Sequence, residues 1–78
     1  MDALTTDTAA LKKLMIDNGI KTTKELSERS GVNRNTLAQV VNGKIQPSAD
    51  VMQKLVICLN IEPQTAGCIF FKRNLRTA

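Results

Sequence analysis

The sequence predicts an all-α domain of five short helices, and three observations support this prediction. Apolar residues recur at helical spacing in five successive segments, capping residues precede these segments, and glycines follow several of them. No segment shows the alternating apolar pattern of a half-buried β-strand. With 78 residues, the chain can form one domain with a small core and is too short for a bilobed enzyme.

The first helix is predicted to begin at Asp7 or Thr8 and to end near Asn18, because Gly19 follows as a stop signal. Residues 1–6 are short and polar, and we expect them to form a flexible N-terminus. The inward-facing stripe of this helix consists of Leu11, Leu14 and Met15.

The second and third helices are predicted to be short and to be joined by a tight turn. Thr22 can cap the second helix, with Glu25 three residues later completing a capping box. Gly31 supplies the left-handed position that ends this helix. Val32 is apolar and fills the turn, and Asn33 is a good N-cap for the third helix.

The third helix, which Gly43 ends, has two contrasting faces. One face is apolar, and the opposite face holds no Glu or Lys, the residues that usually solubilise an exposed helix. Its Arg, Asn, Ala and Gln side chains are instead those that read base edges in the DNA major groove. The apolar face consists of Leu37, Val40 and Val41. The predicted base-reading residues are Asn33 (a cap first and a contact second), Arg34, Asn35, Ala38 and Gln39.

Ser48 is predicted to cap a fourth helix over residues 49–59, and Pro63 can occupy the first position of a short fifth helix. Ile57 lies off the inward face of the fourth helix. Residues 68–71 are consecutive apolar residues, and one helix face cannot bury all four. We therefore expect a dimer or partner surface here, with packing of both Phe side chains on the core as the alternative. The predicted surface consists of Ile57, Ile69, Phe70 and Phe71.

The distribution of charge favours a polyanionic partner. The formal net charge is +4, and no acidic residue lies between Glu28 and Asp50. Residues 72–78 are predicted to form a basic C-terminal tail after the domain, which we place at residues 7–71. The basic residues within the acid-free stretch are Arg29, Arg34 and Lys44.

Residues 23–41 resemble the helix-turn-helix of the lambda-repressor-like (Cro/cI-type, XRE) DNA-binding domains. The resemblance extends over about residues 11–61, including an exit loop at residues 42–48. Ser27 and Thr23 depart from the family pattern, which usually has Ala at the first of these positions and Gln at the second. Ser27 suits a helix–helix contact if its hydroxyl bonds the carbonyl one turn back. The matching residues are Leu26, Gly31, Val32, Thr36, Leu37 and Val40.

The resemblance implies a compact five-helix lambda-repressor-like bundle with its helix-turn-helix at helices 2 and 3. It also implies a regulator, similar to the Cro-like or short repressors of phages and other mobile elements, that binds near-palindromic operator DNA as a homodimer. An antirepressor or antitoxin module that binds a protein partner on the same fold is the alternative. Amides at the start of the second helix form a natural phosphate site, and two residues after the third helix match phosphate-gripping positions of the family. The predicted phosphate-binding residues are Thr23, Lys24, Thr36, Asn42 and Lys44.

Other classes of function have little support in the sequence. The chain has no His, and the spacing of Cys58 and Cys68 is not that of a metal site, so we expect two free thiols, buried or half-buried. No motif indicates catalysis, a cofactor or a small-molecule ligand. No signal peptide, transmembrane run or lipidation motif is visible, and we expect a cytoplasmic protein without a membrane partner.

Overall fold

The computed structural model describes the backbone of residues 3–74 and the side chains of residues 5–72. The helices meet in one core, which confirms the predicted all-α fold class, and two short strands at the ends of the described chain are an addition to it. In chain order the elements are β1 (Ala3–Thr5), α1 (Thr8–Asp17), α2 (Thr23–Ser30), α3 (Arg34–Val41), α4 (Ala49–Leu59), α5 (Pro63–Phe70) and β2 (Lys72–Asn74).

The helices begin and end at the capping residues that the sequence indicates. Asp7 Oδ1 accepts a hydrogen bond from the Ala10 amide at 3.2 Å, and Gly31 ends α2 with a φ of 77°. Thr22 Oγ1 accepts from the Glu25 amide at 3.2 Å. The second bond of a capping box, from the Thr22 amide to the Glu25 side chain, is not found among the described residues. Only one of the two bonds of the predicted capping box is therefore formed.

The core buries one face of each helix. Leu37 and Val40 are fully buried, which fixes the inner face of α3, and Val32 fills the turn before it with 5% of its surface exposed. Burial of these side chains is the main source of stability for so short a helix, because an isolated eight-residue helix is marginal in water. The largest other fully buried side chains are Leu11, Ile20, Leu26, Leu55, Leu59 and Phe70.

The end of α5 differs from the prediction. Ile69 and Phe70 are 3% and 1% exposed and belong to the core, so their assignment to a partner surface is wrong. Ala66, Ile69 and Phe70 are spaced three and four residues apart and therefore share the inward face of α5. Phe71 leaves the helix as its C-cap and is 50% exposed. The prediction that both thiols are buried or half-buried is confirmed for Cys58, which is half-buried, and is wrong for Cys68, which is exposed.

A two-stranded antiparallel ribbon joins the ends of the described chain. Thr5 pairs with Lys72, and the register continues outward to the pair Ala3 and Asn74. Residues 3–5 of the predicted flexible N-terminus and residues 72–74 of the predicted basic C-terminal tail are thus paired with each other. Residues 1–2 and 75–78 of these two predicted terminal segments lie outside the described residues.

Hydrogen bonds to the end of α5 hold this ribbon in place. Shortly after the end of β1, the Asp7 amide donates to the Ile69 carbonyl at 2.6 Å. Thr6 is buried, and its hydroxyl donates to Gln46 Oε1 at 3.2 Å. Gln46 Nε2 in turn donates to the Phe70 carbonyl. The ribbon therefore depends on contacts between residues far apart in the chain, which no local pattern could reveal.

Candidate nucleic-acid interface

The side chain of Asn33 fixes the start of α3. Its Oδ1 accepts hydrogen bonds from the amides of Asn35 at 2.8 Å and Thr36 at 3.3 Å. Two of the amides that a helix N-terminus leaves unpaired are thereby satisfied. The oxygen makes both bonds, and among the described residues the exposed side-chain NH₂ of Asn33 has no acceptor, so it can face a ligand.

The predicted base-reading residues lie together at the outer face and N-terminal end of α3. Arg34, Asn35 and Gln39 are exposed, Asn33 is exposed just before the helix, and Ala38 is half-buried between the inner and outer faces. The first turn contains no acidic residue. The structure thus presents four hydrogen-bonding side chains and one small apolar side chain at the N-cap and along the first two turns of α3.

The chemistry of this face matches that of base edges. A guanidinium can bond a guanine through two hydrogen bonds, and a carboxamide can do the same with an adenine. Arg34 is suited to the first contact, whereas Asn35 and Gln39 are suited to the second. A methyl side chain such as that of Ala38 can contact a thymine methyl group.

Two serines of α2 hold the turn that precedes α3, and sequence analysis did not predict this arrangement. Ser27 Oγ donates to the Val32 carbonyl at 2.6 Å, and the Val32 amide donates to Ser30 Oγ at 3.2 Å. The Ser27 hydroxyl is thus satisfied by the turn that follows and not by the carbonyl one turn back. Both backbone polar groups of Val32 are anchored to α2, which fixes the position of α3 relative to α2.

The N-terminus of α2 holds two of the predicted phosphate-binding residues and is one flank of the candidate interface. Lys24 is exposed and Thr23 is half-buried. Thr23 lines a groove of about 430 Å³ together with Lys12 and Lys21, two residues that the sequence did not assign to the interface. Both lysines are exposed. Their charge makes them candidates for phosphate binding, but only the folded positions of α1 and the α1–α2 loop bring them to this site. The flank combines cationic side chains with helix-terminal amides, as phosphate sites do.

The loop after α3 holds two more of the predicted phosphate-binding residues and is the other flank of the candidate interface. Asn42 and Lys44 are exposed, and the Lys44 amide donates to the Gln39 carbonyl at 2.8 Å, which holds the loop against the end of α3. Thr36, the remaining predicted phosphate-binding residue, is half-buried on α3 itself.

Arg29, also in the acid-free stretch, makes a hydrogen bond within the fold. Its guanidinium donates to the Asn18 carbonyl at 3.0 Å and links α2 to the end of α1.

The described residues contain little that suggests other chemistry. No group of three or more His, Cys, Asp or Glu residues in this part of the chain could hold a metal ion. Burial raises the pKa of the Cys58 thiol, and the positive charge of Arg29 partly opposes this effect. No helix between residues 3 and 74 is both long and apolar enough to span a bilayer.

DNA-binding domains of the helix-turn-helix type share this arrangement, in which the second helix of the motif, here α3, is buried on one face and polar on the other. Residues 10–66 match the family described as the Cro/C1-type HTH DNA-binding domain. The match covers most of the chain, and the protein therefore belongs to this family, whose partner is double-stranded DNA and whose members are typically regulators rather than enzymes. No curated protein and no solved structure matches the chain.

Proposed function

We propose that this protein is a sequence-specific transcriptional regulator of the Cro-like or repressor type, which reads operator half-sites in the major groove with α3. The outer face of α3 carries the proposal. Arg34, Asn35 and Gln39 are exposed there, while Leu37 and Val40 are buried on the opposite face. A solvated face would ordinarily contain Lys or Glu, and this face contains neither.

Phosphate contacts on both flanks give α3 its orientation. Thr23 and Lys24 bind the backbone before the groove, and Asn42 and Lys44 bind it after the groove, with the Thr36 hydroxyl between them. Contacts of this kind position a protein on the duplex and carry no sequence information themselves. The base contacts of α3 then supply the specificity.

The protein binds a near-palindromic operator as a homodimer, with its half-sites about one helical turn apart. Ile57 and Phe71, which are 73% and 50% exposed, support an apolar contact surface on the α4–α5 side. A groove of about 400 Å³ between these helices, lined by Met52 and Val56 among others, continues this surface. The same groove favours the second candidate function, a regulatory module of the antirepressor or antitoxin type that binds a protein partner.

Base reading is tested by Gln39→Ala. We expect this variant to lose discrimination at one base pair of each half-site, worth roughly 1–3 kcal/mol, because the carboxamide makes its contact with one base. Binding to a panel of single-base operator variants measures this effect. Gln64→Ala, which removes an exposed Gln of α5, is the matched control. Unchanged base preferences in Gln39→Ala would contradict the proposed docking of α3.

The phosphate role is tested by Lys44→Ala. We expect equal weakening on all sequences and a salt dependence of log K that is shallower by about 0.9 per subunit, because one fewer counterion is released. Titrations at several salt concentrations measure both quantities. Weakening that depends on the base sequence would refute the assignment of Lys44 to the backbone.

A further inference from the structure

The terminal ribbon of β1 and β2 lies against the loop that follows α3. Thr6 is joined to Gln46 through its hydroxyl, and its side chain lines a niche of about 190 Å³ together with residues 43–46. The same loop is joined to α3 by the bond between the Lys44 amide and the Gln39 carbonyl. The loop therefore contacts the ribbon on one side and the end of α3 on the other.

The charge of the ribbon lies on β2. This strand has the sequence Lys-Arg-Asn, its partner β1 is uncharged, and no acidic residue follows Glu62 in the chain. Residues directly opposite in an antiparallel pair place their side chains on the same face. Lys72 is opposite Thr5, which lines the niche beside Lys44. The backbone of Lys72 therefore lies next to Thr5, at the edge of the niche that Lys44 also lines.

A single acidic side chain pairs with this lysine among the described residues. Lys72 Nζ is 3.5 Å from Asp7 Oδ2, while Asp7 Oδ1 caps α1 through the Ala10 amide. The side chain of Lys72 is 57% exposed. Exposed ion pairs contribute little to stability, so the ammonium group can bind a phosphate without a large loss to the fold.

The geometry points to a second basic DNA contact, in which Lys72 of the ribbon binds a backbone phosphate next to the one held by Lys44. The contact extends the footprint of the domain beyond its helix-turn-helix and acts on any sequence. This inference rests on the proposed docking of α3, which brings the following loop to the backbone.

Lys72→Ala tests the contact, with Lys54→Ala as its matched control. Lys54 is also an exposed lysine paired with an aspartate, Asp50 at 3.1 Å, but it lies on α4. On a short duplex of fixed sequence, we expect Lys72→Ala to reduce the slope of log K against log salt by about 0.9 per subunit. We expect Lys54→Ala to leave the slope unchanged. Equal slopes for the two variants would overturn the inference.

A second pair of variants tests the same contact in the opposite direction. Asp7→Asn removes the acid beside Lys72 and preserves the cap of α1, because Asn and Asp are similarly good N-caps. We expect it to tighten DNA binding more than Asp50→Asn, which changes the charge of the protein equally. Equal affinities of these two variants would also overturn the inference.

Different results would refute the ribbon contact and base reading by α3. If Lys72→Ala lowers the slope on every duplex while the unaltered protein shows no base preference, the ribbon contact is supported and base reading by α3 is refuted. If base preference is present and the slopes of Lys72→Ala and Lys54→Ala are equal, only the ribbon contact is refuted.

Discussion

The N-cap of α3 allows folding and DNA binding to be perturbed separately. Asn33→Ala removes both bonds from Asn33 Oδ1, those to the amides of Asn35 at 2.8 Å and Thr36 at 3.3 Å. Loss of an N-cap costs about 1 kcal/mol, within a range of roughly 0.5–2 kcal/mol. In a domain of this size, each kcal/mol lowers the Tm by roughly 4–8 °C. We therefore expect a clear loss of stability in Asn33→Ala.

Asn33→Asp preserves the cap and changes the interface. A carboxylate caps as well as a carboxamide and interacts favourably with the helix dipole, so we expect the stability to be retained. The exposed position then carries a negative charge that faces DNA. At roughly 6 Å from a phosphate, the repulsion is about 0.7 kcal/mol in water and about 3 kcal/mol at an effective dielectric constant of 20. The expected loss of DNA affinity is therefore between about threefold and about a hundredfold.

Thermal unfolding followed by circular dichroism measures the first effect, and fluorescence anisotropy with a labelled duplex measures the second. Gln64→Glu is the matched control, since it makes the same amide-to-acid change at an exposed position of α5. We expect this control to bind DNA nearly as well as the unaltered protein. Equal losses of affinity in Asn33→Asp and Gln64→Glu, or no loss in Asn33→Asp, would refute the view that the N-terminus of α3 faces DNA.

Glycines and thiols provide further tests. Gly67→Ala should stabilise the fold by about 0.5–1 kcal/mol, because Gly67 is helical and an added Cβ meets no atom within 4 Å. Gly31→Ala should destabilise it by about 1 kcal/mol because its φ is +77°. Urea unfolding measures both, and effects of the same sign would contradict the assigned conformations. Cys68 should react faster than Cys58 with a thiol-specific reagent, because burial raises the Cys58 pKa and restricts access. Equal rates in mass-resolved labelling would contradict this difference.

The helices could be predicted because their signals are local. Asp7, Thr22, Asn33 and Ser48 each accept a hydrogen bond from an amide two or three residues later, and this short range leaves a pattern in the sequence. The contrast between the two faces of α3 is likewise a periodic pattern within eight residues. These features define the helix-turn-helix and the residues proposed to read bases.

The remaining features depend on contacts that are distant in sequence. The ribbon pairs Thr5 with Lys72, and each strand has only three residues, too few to show an alternating pattern. The choice between core and surface for Phe70 and Phe71 depended on where α5 ends, and helix ends are uncertain by one or two residues. The forward bond of Ser27 depended on the shape of the turn. Each of these features required the packed structure.

Selection of bound sequences from a random duplex pool, near physiological salt, tests the central claim most directly. If α3 reads bases in a dimer, the bound pool should converge on a near-palindrome whose half-sites lie about one helical turn apart. A folded protein that binds duplex DNA without enriching any sequence would contradict base reading by α3.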